Sequence, residues 1–210
     1  MPHLIKILFA AVLMMGAVLM PLSAPAMAQA KAISEDAILN DPEAPIGGNP
    51  EGDITIVAFL DYNCPFCRRS APDLEKLVKT DGKIRLVYKD WPVLTPASFH
   101  GAQLALAAKY QGKYEQAHHA LMSLPGRRSD KDKMTEAIQA SGIDMERLAQ
   151  DMKQHAAEIQ SLLQRNLDQA EALGLTGTPA YLIGPFKAAG ALNYEQFQQA
   201  VAQARAQGRQ

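Results

Sequence analysis

Residues 53–67 read DITIVAFLDYNCPFC, a run of apolar and β-branched residues that is followed closely by two cysteines. The apolar run has little polar alternation, which is typical of a strand buried on both faces. Apolar positions at helical spacing follow the cysteines as far as Asp81-Gly82, and residues 83–88 form a second strand-like run. A strand, a helix and a strand in this order predict a βαβ unit with a parallel strand pair.

Cys64 and Cys67 are the only cysteines in the 210 residues. A disulfide between them would close so short a loop that it adds little stability as a crosslink. The spacing puts Cys64 just before the first helical turn, where backbone N–H groups and the helix dipole favour a thiolate. We therefore predict a redox-active pair in which Cys64 attacks and Cys67 resolves. A structural disulfide and half of a zinc site, which would need two more ligands, are the alternatives.

A second motif is Gly177-Thr178-Pro179-Ala180, directly before the next strand-like run at 180–183. Proline at the start of a strand lacks one ladder donor, and a Thr-Pro bond at such a corner can be cis. Held beside the cysteines, Thr178 would offer backbone groups to an extended substrate peptide by strand addition. The motif predicts a substrate-binding role for Thr178 and Pro179.

The rest of the chain divides by its pattern. Residues 29–52 form an N-terminal arm, with a brief helix capped by Ser34 and then a loop rich in proline and glycine. Residues 53–96 hold the first strands and the cysteine helix, 97–173 form an all-helical insertion of four or five helices, and 174–210 return to strands and a closing helix. This order predicts a small α/β domain interrupted by a helical subdomain.

The N-terminus resembles a secretory signal peptide over residues 1–28. The apolar run at residues 7–20 lies between a weakly basic start and Ala26-Met27-Ala28, so we expect cleavage after Ala28, or otherwise after Ala30. An uncleaved anchor is the alternative, although the run falls short of the roughly 20 residues that a spanning helix needs. Export would place the cysteines in an oxidising compartment, and we expect the periplasm. The net charge of −1 argues against nucleic acid or an anionic membrane as a partner.

Several segments together resemble the DsbA-like family of thiol–disulfide oxidoreductases, in the branch that includes the ScsC proteins. They are FLDYNCPFCR at 59–68, VYKDWP at 87–92, QGKY at 111–114 and GLTGTPA at 174–180. The resemblance covers about residues 40–205 and implies an α/β thioredoxin fold with an inserted all-helical subdomain. It also implies a nucleophilic Cys64, a resolving Cys67 and a cis Pro179. We expect no cofactor, and no metal, because the histidines have no metal-binding spacing tied to the cysteine pair.

Two positions depart from the family pattern. Thioredoxin and DsbA have a buried acid six residues before the first cysteine, where this chain has Ala58, so proton handling would need water or another group such as Asp61 or Lys89. DsbA has a histidine just before its second cysteine, where this chain has Phe66. We therefore expect a reduction potential less oxidising than the roughly −120 mV of DsbA.

For the other residues considered, the sequence favours structural or surface roles. Adjacent histidines on a helix point about 100° apart, so His118 and His119 are expected to be structural or surface residues. Trp91 is expected to pack in the core or at the subdomain junction, with contact to the substrate as the alternative. Arg68 and Arg69 are expected to be solvated, or otherwise to assist the thiolate modestly by their charge. Residues 127–133 are expected to form a solvated loop that leads into a helix.

The leading functional prediction is a monomeric periplasmic oxidoreductase that donates disulfides to reduced exported proteins and is reoxidised by a membrane redox partner. The first alternative is a disulfide isomerase or reductase of the ScsC type, a group linked to copper stress, to which Thr178 before the proline also points. The second is a non-catalytic metal- or peptide-binding module, against which the intact cysteine pair argues.

Overall fold

The computed structural model describes residues 33–208, so the predicted signal peptide lies outside the described residues. The helices are α1 (Glu35–Leu39), α2 (Pro65–Asp81), α3 (Pro96–Ala108), α4 (Tyr114–Met122), α5 (Lys131–Ala140), α6 (Met145–Gln154), α7 (Ala156–Ala172) and α8 (Tyr194–Gln207). The strands are β1 (Ile46–Gly48), β2 (Ile54–Leu60), β3 (Ile84–Asp90), β4 (Ala180–Ile183) and β5 (Phe186–Ala189). A short 3₁₀ turn, Lys109–Gln111, joins α3 to the next helix.

The sheet has five strands in the order β1-β3-β2-β4-β5. β2 and β3 are parallel, as the βαβ prediction requires, and the other three pairings are antiparallel. Ile54 pairs with Ile84 and Leu60 with Asp90, so the two parallel strands end level with each other. The carboxyl end of β2 is where the chain turns into Cys64, which places the cysteines at this edge of the sheet.

β2 is buried on both faces, as its unbroken apolar sequence predicts. Ile56, Ala58 and Leu60 face a core shared with α2, α8 and the helical insertion. Val57 and Phe59 face a smaller core on the other side, where α1 and α7 supply apolar side chains. The sheet is therefore covered by helices on both faces, which is the α/β thioredoxin architecture that the sequence predicts.

The N-terminal arm contributes more than the predicted helix and loop. Ser34 caps α1 as expected, but residues 46–48 form β1, which adds to the sheet beside β3. The expectation of an irregular loop there was wrong. Glycine and proline have low intrinsic preference for a strand, but backbone hydrogen bonds to the edge of β3 stabilise residues 46–48 as a strand in spite of it. Gly47 is required here, since a Cβ on it would lie 2.9 Å from the Tyr88 ring.

The helices α3 to α7 lie between β3 and β4 in the chain, and the closing helix α8 returns to the sheet. Asn193 and Gln196 form a reciprocal capping box at the start of α8. Near its end, Arg205 donates to both Asp53, before β2, and Asp81, at the end of α2. The guanidinium therefore connects α8 to the start of β2 and to the end of α2.

Candidate active site

Cys64 is the N-cap residue of α2, and the cysteine pair is carried by that helix start. Pro65 occupies the first helical position, where its missing N–H removes no hydrogen bond. The sulfur of Cys64 accepts a hydrogen bond from the backbone N–H of Cys67 at 3.4 Å. The geometry is that of a helix cap in which sulfur replaces the usual oxygen acceptor.

The two thiols have opposite pKa shifts. The pKa of Cys64 is lowered to about 6, chiefly by the hydrogen bond from the Cys67 thiol, against the effect of burial and with help from Thr178 and from the backbone N–H groups of Cys67 and Phe66. Burial raises the pKa of Cys67 well above its usual value, and the neighbouring Cys64 raises it further. Near neutral pH, Cys64 is therefore a thiolate while Cys67 keeps its proton.

The Thr178-Pro179 corner lies against this sulfur. The Thr178–Pro179 peptide bond is cis, as the family resemblance implies. The Cys64 sulfur lies 3.1 Å from the backbone oxygen of Thr178, across 114 residues of chain, and donates to it when the thiol is protonated. The two motifs singled out in the sequence are thus brought into direct contact.

Asp61 organises the turn between β2 and α2. One carboxylate oxygen accepts the N–H of Asn63 at 2.7 Å, and the other accepts the N–H groups of Val93 and Leu94 at 2.9 and 3.0 Å. The carboxylate therefore holds together the two loops that follow the parallel strands β2 and β3. Three backbone donors occupy Asp61, so its role is to position the site.

Arg68 is buried, and the expectation that it would be solvated was wrong. Its guanidinium donates to the backbone oxygens of Tyr62 at 2.8 Å and Gly126 at 3.2 Å, and to the side chains of Asn63 and Ser129, both at 3.2 Å. These bonds connect the cysteine helix to the loop between α4 and α5. That loop is remote in sequence, which is why local pattern could not reveal the burial of Arg68.

Asn63 reinforces the same connection from the residue before Cys64. Its side-chain oxygen accepts the N–H of Ser129 at 2.8 Å, and its amide donates to the Ser129 oxygen at 2.9 Å and to Thr95 at 2.8 Å. The sequence analysis missed Asn63 and Ser129. Neither belongs to a periodic pattern, and only the polar tripeptide between β2 and Cys64 hints at a role for Asn63.

Lys89 does not lie beside the cysteines, so the suggestion that it handles their proton was wrong. It pairs with Phe59 in the sheet and points to the α7 side, where its Nζ is 3.8 Å from Asp41. Burial lowers the pKa of Lys89 to about 8, although Asp41 opposes the effect. Arg165 binds the same carboxylate, so Asp41 anchors the N-terminal arm to β3 and α7.

The place left by the missing acid at Ala58 faces a tyrosine. Tyr181 on β4 is the direct cross-strand partner of Ala58 and is fully buried. Its hydroxyl donates to Ser70, one helical turn after Cys67, and Ser70 donates to the Leu192 oxygen. Burial raises the pKa of Tyr181, and the charges of Cys67 and Cys64 add to this effect. A neutral tyrosine therefore lies beside Ala58, at whose position thioredoxin and DsbA have a buried acid.

A polar cluster lies under the junction with the helical insertion. Tyr114 donates to Asp90 at 3.0 Å, and the Tyr62 hydroxyl lies 3.1 Å from Nδ1 of His118. Burial raises the pKa of Asp90 to about 7 despite the hydrogen bonds from Tyr62 and Tyr114. Burial also lowers the pKa of His118 to about 3, so this histidine is neutral. The structural role expected for His118 is confirmed.

The remaining predicted residues have the roles expected from the sequence. Trp91 is buried and meets Phe59 edge to face, with ring centroids 6.2 Å apart. His119 is at the surface, 3.1 Å from Glu75. Within residues 33–208, no group of three or more His, Cys, Asp or Glu side chains has a metal-binding arrangement. No helix in the same range combines the length and apolarity needed to cross a bilayer.

Comparison with known proteins agrees with this geometry. A thioredoxin family model matches residues 40–203. A thioredoxin-like oxidoreductase from Silicibacter pomeroyi superposes with a TM-score of 0.78 at 40% identity, covering 83% of this chain and 99% of that one. The thiol–disulfide exchange protein α-DsbA2 from Wolbachia pipientis gives a TM-score of 0.75 at 29% identity, covering 80% and 90%. The catalytic domain of Proteus mirabilis ScsC gives 0.74 at 28% identity, covering 85% and 98%.

Curated relatives include proteins of quite different length. The Na⁺/H⁺ antiporter NhaA 1 of Mycobacterium sp. (strain KMS) is 29% identical over 159 residues, which are 71% of this chain and 26% of the antiporter. The chain thus spans about a quarter of the length of these relatives. The thiol:disulfide interchange protein DsbA of Bordetella parapertussis is 26% identical over 144 residues, covering 67% of this chain and 68% of that protein.

The fold and the helix-capping cysteine pair define a thiol–disulfide oxidoreductase domain of the DsbA-like class. The chain belongs to the thioredoxin family. The suspected relationship to DsbA and ScsC proteins and the predicted fold class are both confirmed.

Proposed function

We propose that this protein is a periplasmic oxidoreductase that donates the Cys64–Cys67 disulfide to reduced exported proteins. The observation that carries the proposal is the opposite pKa shift of the two thiols, with Cys64 at about 6 and Cys67 raised. A stabilised Cys64 thiolate stabilises the reduced pair, which makes the disulfide more oxidising, and it also makes Cys64 the better leaving group. The predicted signal peptide supports export.

The catalytic residues in this proposal are Cys64 and Cys67. A substrate thiolate attacks the Cys64 sulfur, the Cys64–Cys67 bond breaks, and Cys67 leaves and takes up a proton. The thiolate of a second cysteine in the substrate then attacks the substrate's sulfur atom in the mixed disulfide. The substrate disulfide forms, and Cys64 is released as a thiolate. Two electrons pass from the substrate dithiol to the cysteine pair, which a membrane redox partner then reoxidises.

Thr178 and Pro179 are the proposed substrate-binding residues. The Thr178 oxygen is 3.1 Å from the Cys64 sulfur, so a peptide that adds along this corner would bring its cysteine to the nucleophile. We also propose that the protein is a monomer. Within the described residues the N-terminal arm is bound to its own sheet through β1 and through the Arg165–Asp41 pair, so it is not free to form an oligomerisation module.

The deciding test is the reduction potential of Cys64–Cys67, measured by equilibration with glutathione buffers. A value between about −120 and −180 mV would support a disulfide donor. A value near −270 mV, the approximate range of thioredoxin, would overturn the proposal in favour of a reductase. Cys64→Ser must lose oxidase activity on a reduced model protein. Cys67→Ser, mixed with a substrate that already contains a disulfide, should accumulate the mixed disulfide at Cys64, because the variant has no second thiol to resolve it.

The isomerase alternative is favoured by the likeness to the ScsC catalytic domain. Light scattering of the purified protein separates the two readings, because a trimer would favour the isomerase and a monomer the donor. Repair of a scrambled disulfide substrate, measured in parallel with oxidation of a reduced one, gives the same separation by activity.

A further inference from the structure

A loop from the helical insertion is fastened to the active-site segment at two points. We call residues 125–130, between α4 and α5, the arginine loop. Arg68 holds its Gly126 oxygen at 3.2 Å, and Asn63 binds both backbone groups of Ser129, at 2.8 and 2.9 Å. Asn63 immediately precedes Cys64, and Arg68 immediately follows Cys67. The position of the loop is therefore set by the residues that flank the cysteine pair.

Two exposed arginines, Arg127 and Arg128, lie between these two fastened points. Neither forms an ion pair with a residue in the described part of the chain. The acid in the same loop, Asp130, uses one carboxylate oxygen to cap α5 at the N–H of Lys133, and its other oxygen lies 4.0 Å from the Lys133 Nζ. The charges of the two arginines therefore remain available to a partner.

Arg69 extends the same basic surface along α2. It is exposed, and its guanidinium lies 5.0 Å from the ring centroid of Phe66, the second of the two residues between the cysteines, which is itself 52% exposed. The acid closest to the cysteines in sequence, Asp61, is buried and already accepts three backbone N–H groups. The surface next to the nucleophile thus carries three arginines, which we call the basic rim: Arg69, Arg127 and Arg128.

We propose that the basic rim binds acidic side chains that lie close to the reactive cysteine of a partner polypeptide. This inference rests on the proposed function and names the class of substrate that reacts best. Arginine suits the task because its planar guanidinium binds a carboxylate through two parallel hydrogen bonds. The fastening of the arginine loop at Gly126 and Ser129 holds the charges in place before a partner arrives, which lowers the ordering cost of binding. The basic rim would act chiefly on the rate of encounter.

The test uses three synthetic dithiol peptides of equal length, in which the residues flanking the cysteines are acidic, neutral or basic. Their oxidation by the full oxidised protein is followed by stopped flow under second-order conditions. We expect the acidic peptide to react about tenfold faster than the basic one at low ionic strength, at the lower end of what electrostatic steering achieves. The difference in rate between the acidic and basic peptides should largely disappear in 1 M NaCl, because the Debye length there is only about 3 Å.

Two matched variants check that the basic rim is the cause. Arg127→Glu/Arg128→Glu should reverse the preference, and Arg127→Lys/Arg128→Lys should keep its direction because the charge is retained. Thermal unfolding of each variant shows that it is folded. Equal rates for the three peptides with the unmodified protein would overturn the inference while leaving the proposed oxidase function intact. An unchanged preference in the double Glu variant would also overturn it. Failure to oxidise any of the peptides would instead contradict the proposed function.

Discussion

At the scale of the residue, the chemistry of this protein depends on how Cys64 is held. Its sulfur takes the place of an N-cap oxygen and accepts the N–H of Cys67, while the thiol of Cys67 lowers its pKa to about 6. A residue other than proline at position 65 would still permit this cap. The two features that matter are therefore the position of Cys64 directly before α2 and the burial of Cys67 beside it.

The first prediction concerns the titration of Cys64. In the reduced protein, the rate of alkylation by iodoacetamide should rise with pH around a midpoint of about 6, and Cys67 should stay unmodified until the protein unfolds. Thiolate absorbance near 240 nm, compared between the unmodified protein and Cys64→Ser, checks the assignment. A midpoint close to that of a free thiol, roughly 8.5, would show that the helix start does not stabilise the thiolate.

At the scale of the element, α2 is held from both of its flanks. On one side Tyr181 and the Leu192 backbone bind Ser70, and on the other Arg68 reaches into the helical insertion. The insertion is thus connected to the cysteine helix by hydrogen bonds from the Arg68 guanidinium, by the His119–Glu75 pair and by apolar packing. Any change at Arg68 should affect both the position of the arginine loop and the stability of the domain.

The second prediction is that Arg68→Met destabilises the protein by about 2–4 kcal/mol. Removing the guanidinium takes a donor from four acceptors, of which the Asn63 oxygen keeps the Ser129 N–H. Hydrogen bonds to charged groups contribute roughly 1.5–3 kcal/mol each, and water replaces part of that contribution. Urea unfolding of the oxidised protein measures the loss. Arg68→Lys keeps the charge but not the planar donor geometry, so we expect an intermediate loss. If Arg68→Met were as stable as the unmodified protein, the guanidinium would not be holding the loop.

Across the whole molecule, buried ionisable groups connect the sheet to the helical insertion. Asp90 ends β3 in the thioredoxin-type half, and its partners Tyr62 and Tyr114 belong to the turn before Cys64 and to α4. Burial raises the pKa of Asp90 to about 7, compared with the usual 3.8. Between these two values the folded state holds a proton that the unfolded state releases, so stability falls as the pH rises.

The third prediction follows from that sign. Relative to Asp90→Asn, which cannot titrate, the oxidised protein should be most stable below about pH 4, lose stability as the pH rises to about 7, and change little above that. His118 remains in both proteins, so its own pH dependence cancels in the difference. Urea unfolding at a series of pH values gives the two curves. A constant difference across this window would mean that Asp90 is ionised normally in the folded protein.

Most of the helices and strands of this protein can be predicted from local sequence patterns. The alternation-free run at 54–60 indicates a strand covered on both faces, the cysteine spacing predicts a capped helix, and the Ala- and Leu-rich block predicts helices. The signals that failed are also local. The glycines and prolines at 42–50 predicted a loop where the structure has β1. The charge of Arg68 predicted a solvated side chain, whereas the side chain is buried.

Residues a few positions apart specify the order of the elements other than β1, the cysteine pair at the start of a helix and the Thr178-Pro179 corner, so these features could be predicted from the chain alone. The polar groups that surround the cysteine pair come from distant segments, and their positions depend on how the whole domain packs. The contacts of Arg68 with Gly126, Asn63 with Ser129, and Cys64 with Thr178 join residues 58, 66 and 114 positions apart. Hydrogen bonding of a buried polar group depends on which partners the packed core brings within about 3 Å. No periodicity along the chain encodes that distance.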